Sequence, residues 1–417
     1  MNFNHLATKL RNKITRFSGI LSEKLDKTAR RFVQEAIYGI MSSQSVMLTE
    51  IGRQLVSRVS LKKIEERFSR QLIKTKIGHC LQERILSIAS DRIKENTLLI
   101  LDLSDIRKKY AEKMEYLAKV HDGSEEGEIV DGYWTNQVIA SEIGSNEITP
   151  LYHALYSQAS PDFISENEEI LKAIDQVSKA VHNKGIWIID RGGDRDALYE
   201  PLLKNKRNFI IRLVGTRDLL YQYKLTRSLW LAYACRLPYE KTIVRLIENK
   251  EIQYTLRFGF LSVQLPDFEA PLILIVIKGF GNKPMMLLTS LPVNASQKKV
   301  WFIIEAYLKR WSIEETIRFI KQTYDLENIR ILRYTRLQNM MALLLAVFFF
   351  ITVILDQNQK LTIMAGHILK SAKRVFGIPD FKYYALGDGL CNIFSRYPGQ
   401  LIKPPPSTDL QLSFGFG

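Results

Sequence analysis

The sequence predicts an α/β core that holds an antiparallel β insertion and is flanked by helical N- and C-terminal regions. Three observations predict it. Short apolar runs at 97–103, 185–190 and 208–213 have the length and boundaries of buried strands, and a helical pattern lies between the last two. Residues 214–292 break that alternation with four further strand patterns. Residues 1–95 contain no Pro and read as amphipathic helices, and helical patterns return from Ala295 to about Phe376.

At 417 residues, 46% hydrophobic and 10% aromatic, the chain can bury a large core, which excludes a mostly disordered protein. The implied division is a helical region 1–95, an α/β region 96–335 with the insertion at about 214–292, a helical region 336–400 and a tail 401–417. Three scattered cysteines, Cys80, Cys235 and Cys391, exclude a disulfide framework and a Cys-rich zinc site, and read as reduced thiols in a cytosolic protein. The N-terminus shows no apolar segment of the kind a signal peptide needs. Net charge is +15, and residues 1–97 hold 19 Lys and Arg against 9 Asp and Glu. Two-thirds of the surplus thus sits in a quarter of the chain, which points to an acidic partner, most often nucleic acid.

In the N-terminal region, helices are expected at 30–41 and 46–55, and a third starts after Ser60 as N-cap, with Leu61, Ile64, Phe68 and Leu72 on one face. Lys63, Arg67, Arg70 and Lys74 follow the spacing i, i+4, i+7, i+11 and form a basic stripe. Two short helices with a tight link, the second striped in this way, suit a helix-turn-helix-like grip on DNA. A solvated bundle face is the plain alternative.

The α/β region continues with strands at 115–120, 132–142 and 148–155 around turns at Asp122-Gly123 and Asp131-Gly132, then a helix at 166–182 and another at 194–203. Strands at 241–248, 253–263, 272–277 and 285–290 make up the insertion. The run 340–355 is apolar except for Thr352; at 16 residues it is short for a membrane span and is expected as a buried core helix. The tail, with Pro404, Pro405 and Pro406, is expected to be poorly ordered.

Two carboxylates stand at the ends of predicted buried strands, Asp102 and Asp190. Ligand sites in open α/β sheets lie beyond the carboxyl ends of strands, and buried carboxylates there need a partner or a metal. A third acidic residue comes from 307–321, YLKRWSIEETIRFIK. Ser312 and Glu315 fit a capping box, which starts a helix at Ile313 and puts Glu314 in its first turn, with Arg318 and Lys321 on the same face. If the preceding helix runs straight into this one, Tyr307 and Arg310 join that face. By themselves these residues also fit an ordinary Glu–Arg pair on a solvated helix.

Tyr307, Arg310, Glu314 and Lys321 match the Tyr-x2-Arg-x3-Glu-x6-Lys signature, and here the sequence resembles the bacterial insertion-sequence transposases with a DDE catalytic triad. The segment Asp190-Arg191-Gly192-Gly193-Asp194 looks like that family's Asp-Arg-x-x-Asp element, Leu101-Asp102-Leu103-Ser104-Asp105 is similar to its first-Asp strand, and Gly132-Tyr133-Trp134 matches a Gly-aromatic-Trp segment. The resemblance covers about 95–335. Intervals of 88 residues from Asp102 to Asp190 and 124 from Asp190 to Glu314 leave room for the family's β insertion. Many members have Thr after the first Asp, whereas this chain has Leu103 and then Ser104, so Asp105 is a rival to Asp102; Asp102 ends the apolar run directly.

The resemblance implies an RNase H-like catalytic core and a DNA transposase that binds the terminal inverted repeats of its element as a homodimer in a synaptic complex, cuts the ends and joins them to target DNA. It implies two Mg²⁺ or Mn²⁺ ions held by Asp102, Asp190 and Glu314, with Asp102 serving both. Arg310 and Lys321 would hold phosphates and Tyr307 the backbone or a displaced nucleotide, while Arg318 is as well suited to a salt bridge with Glu314. Trp230, Trp301 and Trp311 are candidates to stack on a flipped base, with core packing as the expected role of each. The alternative function is a silent, transposase-derived repressor or architectural protein. No GxxxxGK[ST] loop and no His-x3-His or CxxC pattern occurs, so neither a nucleotide cofactor nor zinc is expected, and the expected place of action is the bacterial cytoplasm, on the nucleoid.

Overall fold

The computed structural model describes residues 3–121, 128–247, 250–293, 296–371 and 381–402. The expected turn at Asp122-Gly123, the helix start at Ala295, the helix end near Phe376 and the proline tail lie outside the described residues.

Five helices open the chain: α1 (Phe3–Leu21), α2 (Lys27–Ser43), α3 (Leu48–Arg53), α4 (Leu61–Leu72) and α5 (Lys76–Ser90). Asp26 caps α2, its carboxylate accepting from the Thr28 and Ala29 amides at 2.9 Å each. Hydrogen bonds from the Lys74 ammonium and from Thr28 hold that carboxyl far below the usual range. Ser60 occupies the N-cap position of α4, but its side chain makes no cap bond.

Strands β1 (Leu98–Arg107), β2 (Ala118–His121), β3 (Ile129–Ser141) and β4 (Ile148–Tyr156) follow, then α6 (Glu166–Ala180), β5 (Ile186–Ile189), α7 (Asp196–Lys204) and β6 (Asn208–Arg212). β1 pairs antiparallel with β3, and β3 with β2 and β4. β5 then adds parallel to β1, and β6 parallel to β5. An antiparallel meander extended by two parallel strands, each reached through a helix, is the RNase H-like arrangement. The expected turn at Asp131-Gly132 is instead the interior of β3. Gly132 is there for clearance: a Cβ on it would stand 2.4 Å from the Ile106 carbonyl oxygen and 2.7 Å from Val120.

The insertion contains β7 (Asp218–Tyr221), β8 (Lys224–Arg227), α8 (Ser228–Ala234), β9 (Tyr239–Ile247), β10 (Lys250–Val263), β11 (Leu272–Lys278) and β12 (Met285–Thr289). β7 and β8 form a separate hairpin, and β12 through β9 continue the main sheet from β6 in the order β6-β12-β11-β10-β9. The hairpin and α8 had no clear sequence signal, since their four-residue strands are too short to show a period.

Helices α9 (Gln297–Leu308), α10 (Trp311–Thr323), α11 (Tyr334–Phe349), which ends in a π-helical turn at Phe350–Ile354, α12 (Gln357–Ser371) and α13 (Tyr383–Arg396) complete the fold. The apolar run is α11 and its π turn, and its residues are buried. Its contacts are α2, α4, α5 and β4, so the N-terminal helices, the sheet and the C-terminal helices share one hydrophobic cluster around it. One buried polar side chain orients this helix. Asn339 accepts from the Gly78 amide at 2.8 Å and donates to the carbonyls of Leu72 at 2.6 Å and Lys74 at 3.0 Å, tying α11 to the α4–α5 turn.

Asn339→Leu would strand those three backbone groups. The expected loss is about 3 kcal/mol in denaturant unfolding. Thr352→Val, which removes only a local bond to the Phe348 carbonyl, is expected to cost less than about 1 kcal/mol in the same experiment.

Candidate active site

The site is set by strand register. β1 and β5 pair in parallel up to Leu101 opposite Ile189, and β5 stops there. Asp102 and Asp190 are the next residues on each strand, so the register sets the two carboxylates side by side. Asp102 does not end its own strand, as expected from the apolar run: β1 continues to Arg107 because β3 goes on pairing with it as far as Gly132. It marks the point where the parallel neighbour ends. Asp190 turns the chain into a short 3-10 helix, accepting from the Gly192 amide at 2.7 Å.

Glu314 arrives on α10. The residues between α9 and α10, Lys309 and Arg310, keep right-handed helical backbone, and the amides of Ser312 and Ile313 bond three residues back at 3.0 Å. The chain therefore enters α10 already helical, and the capping box does not form. The Ser312 hydroxyl donates to the Lys309 carbonyl at 2.8 Å, and Glu315 pairs with Arg318 at 2.5 Å. Arg318 is thus committed to Glu315 and not to Glu314. The partner of Glu314 is Arg310, whose guanidinium donates to Glu314 Oε1 at 2.5 Å and to Asp102 Oδ2 at 3.2 Å.

Burial pushes the Asp102 carboxyl up to about 7; Arg310 opposes this, while Asp190 and Glu314 reinforce it. With 19% of its side chain exposed, Asp102 opens onto a cleft of about 760 Å³ that Glu314, Trp134, Asp105 and Lys321 also line. α10 runs along β1 in the same direction. Two helical turns from Glu314 to Lys321 and three strand residues from Asp102 to Asp105 each cover about 10 Å. Lys321 accordingly meets Asp105 at 3.1 Å.

The rival Asp105 is therefore a buried counter-ion of the signature lysine, about 10 Å along the cleft from Asp102. Tyr307 is buried, and its hydroxyl is hydrogen-bonded to Arg212. Of the residues expected at one face, Arg310 meets Asp102 and links Glu314 to it, Tyr307 lies beneath Arg310, and Lys321 stands apart. The N-terminal stripe is not brought to this cleft. Arg67 pairs with Glu35 at 2.6 Å and Lys74 with Asp26 at 2.8 Å, which leaves Lys63 and Arg70 as its exposed members. Core packing was expected for three tryptophans, but Trp230 on α8 is 73% exposed and Trp311 is 54% exposed. Trp301 packs against Phe258 and lies under the Lys241 ammonium, 4.1 Å from its ring centre.

Asp194 has a role that spacing did not reveal. Its carboxylate is fully buried and takes Arg217 Nε at 2.7 Å, the Val214 amide at 2.7 Å and the Tyr199 hydroxyl at 3.2 Å. It anchors the start of the insertion to the 3-10 turn that follows Asp190.

Asp102, Asp190 and Glu314 supply hard oxygen donors of the kind Mg²⁺ and Mn²⁺ take. The raised Asp102 carboxyl registers first its burial and then repulsion from Asp190 and Glu314, and a cation there would offset both. Among the described residues no three His, Cys, Asp or Glu side chains stand at ion-gripping distance as they lie, because the Arg310 guanidinium spans Asp102 and Glu314. The donor set fits divalent ions, and access to two of its three members requires Arg310 to move.

Comparison with known proteins gives the following. Residues 160–350 match the family described as Transposase DDE domain, a segment that contains Asp190 and Glu314 and begins after Asp102. No curated protein matches the chain. Among solved structures, a cryo-EM structure of a piggyBac transposase synaptic complex with hairpin DNA is similar at a TM-score of 0.43 and 10% identity, over 95% of this chain and 80% of that one.

The Asp102 carboxyl keeps its proton to about pH 7 in the folded chain and releases it near 3.8 in the unfolded one. The folded state therefore loses stability as pH rises between those values. In chelator, Asp102→Asn is expected to melt near wild type at pH 4 and progressively above it up to pH 7, by on the order of a few kcal/mol. Thermal melts across that range check it; a pH-independent offset contradicts it.

Proposed function

We propose, from the match of residues 160–350 to the Transposase DDE domain family, that this chain cuts DNA at the terminal inverted repeats of an insertion sequence and joins the freed ends to target DNA. One observation carries the reading: the β1–β5 register sets Asp102 beside Asp190, and Arg310 links Glu314 to the same point. Asp102 and Glu314 line one cleft and Asp190 stands beside Asp102 at the end of the neighbouring strand, in a basic protein whose partner is expected to be DNA.

In this reading Asp102, Asp190 and Glu314 are the catalytic, metal-holding residues. They would hold two Mg²⁺ or Mn²⁺ ions, which when bound would supply Lewis acidity to the attacking hydroxyl and the leaving oxygen. Arg310 moves from Asp102 and Glu314 to a phosphate oxygen, where its paired N–H groups match the acceptor geometry. Lys321, held on Asp105, supplies a second positive charge further along the cleft. Tyr307 acts from below by holding Arg212. The helical region 1–95 grips the element end through Lys63 and Arg70, with Arg67 and Lys74 available where DNA outcompetes Glu35 and Asp26. Two chains hold the two ends, in the bacterial cytoplasm on the nucleoid.

A supercoiled plasmid bearing the element ends tests the activity. With Mg²⁺ or Mn²⁺, wild type is expected to cleave at the ends and Asp190→Ala to fall by at least about a thousandfold, as expected when a metal ligand is lost. Cleavage by neither would leave the silent DNA-binding protein as the reading. Calorimetric titration with Mn²⁺ tests the metal assignment independently of turnover: binding is expected in wild type and lost in Glu314→Ala, and an unaltered isotherm removes Glu314 from the site.

A further inference from the structure

A second cleft, about 800 Å³, adjoins the first and shares Arg107, Glu327 and Asn328 with it. None of the signature residues lines it. Its walls are the chain just after β1, residues 107–114, and the segment 327–332 that follows α10. Five cations line it, Arg107, Lys108, Lys109, Lys113 and Arg330, against two carboxylates, Glu112 and Glu327.

The cleft is held open by specific bonds. Lys108 is buried, and its ammonium donates across to the Ile329 carbonyl at 2.7 Å and to the Glu327 carbonyl. Arg107 pairs with Glu327 at 3.1 Å, and the Glu115 amide donates to the Leu332 carbonyl at 2.8 Å. Burial lowers the Lys108 ammonium to about 8, so this tie is made at a cost in solvation. At the lip, Tyr110 is 91% exposed, with Lys113 and Arg330 also on the surface. An aromatic ring left in water beside cations, in a cleft whose walls Lys108 ties together, is the pattern that accepts unpaired bases on a charged backbone.

We propose that this cleft binds the unpaired DNA strand leaving the cutting site, with Lys113 and Arg330 on its phosphates and Tyr110 stacked on a base. The proposal rests on the DNA-cutting reading, since it is the shared edge with the catalytic cleft that brings a strand here. A duplex would hide the base faces that Tyr110 needs, so the occupant is single-stranded.

The test needs neither metal nor turnover. Fluorescence anisotropy with labelled oligo(dT) 20-mer, in chelator, compares wild type with Tyr110→Ala, with Lys113→Ala/Arg330→Ala, and with Lys179→Ala/Lys184→Ala, exposed lysines that line neither cleft, as a remote control. Tyr110→Ala is expected to weaken binding about tenfold. The Lys113/Arg330 pair is expected to flatten the salt slope by about 1.4, two phosphate contacts' worth. The remote pair is expected to change oligo(dT) binding little, and equal melting curves show that the variants fold. Unchanged affinity and slope in the cleft variants overturn the proposal. So does loss confined to the remote pair, or failure of wild type to bind the oligonucleotide. Plasmid cleavage judges the catalytic reading separately, and its failure alongside normal oligo(dT) results would leave the cleft assignment standing.

Discussion

The site depends on where one parallel strand pairing stops. β1 and β5 share four residue pairs, ending at Leu101 and Ile189, and the first residues beyond that ladder are both aspartates. A shift of one residue would turn one of them to the opposite face of the sheet. The apolar residues of both strands are buried on both faces, which fixes the register far more firmly than any interaction between the carboxylates, since those repel. The core thus holds together two carboxyls that would otherwise separate, and burial, with Asp190 beside it, raises the Asp102 carboxyl.

Much of this was legible in the sequence. The runs at 97–103, 185–190 and 208–213 became β1, β5 and β6 because continuous apolar stretches of that length read clearly when both faces are covered. The insertion strands were visible through their β-branched and aromatic content. What escaped depends on neighbours that are distant in the chain. The end of β1 is set by β3, so Asp102 looked terminal when it is internal. Ser312 and Glu315 have capping-box spacing, but a chain that arrives already helical has no free amides there to cap. Gly132 read as a turn residue because Asp-Gly is a turn signal, and only the crowding by Ile106 and Val120 shows why a side chain is excluded.

Cations are the other case in which spacing and environment diverge. A basic stripe on α4 is simple to see, yet two of its four members are committed to acids elsewhere on the chain. Lys321 meets Asp105, Arg217 meets Asp194 and Lys108 meets two carbonyls, so many positive charges near the site organise the protein. The surplus of charge indicates a polyanionic partner, and burial decides which lysines and arginines are free to reach it.

The insertion joins the main sheet edge to edge through β12 and β6, and Asp194, four residues after Asp190, clamps the coil at its entry through the Val214 amide. It is therefore built as a cantilever. Force applied at its outermost strand, β9, is carried along a continuous hydrogen-bonded plate to the strand that ends at the second aspartate. Such a plate can be lengthened or trimmed at its free edge, β9, without touching the β1–β5 register that sets the two aspartates side by side.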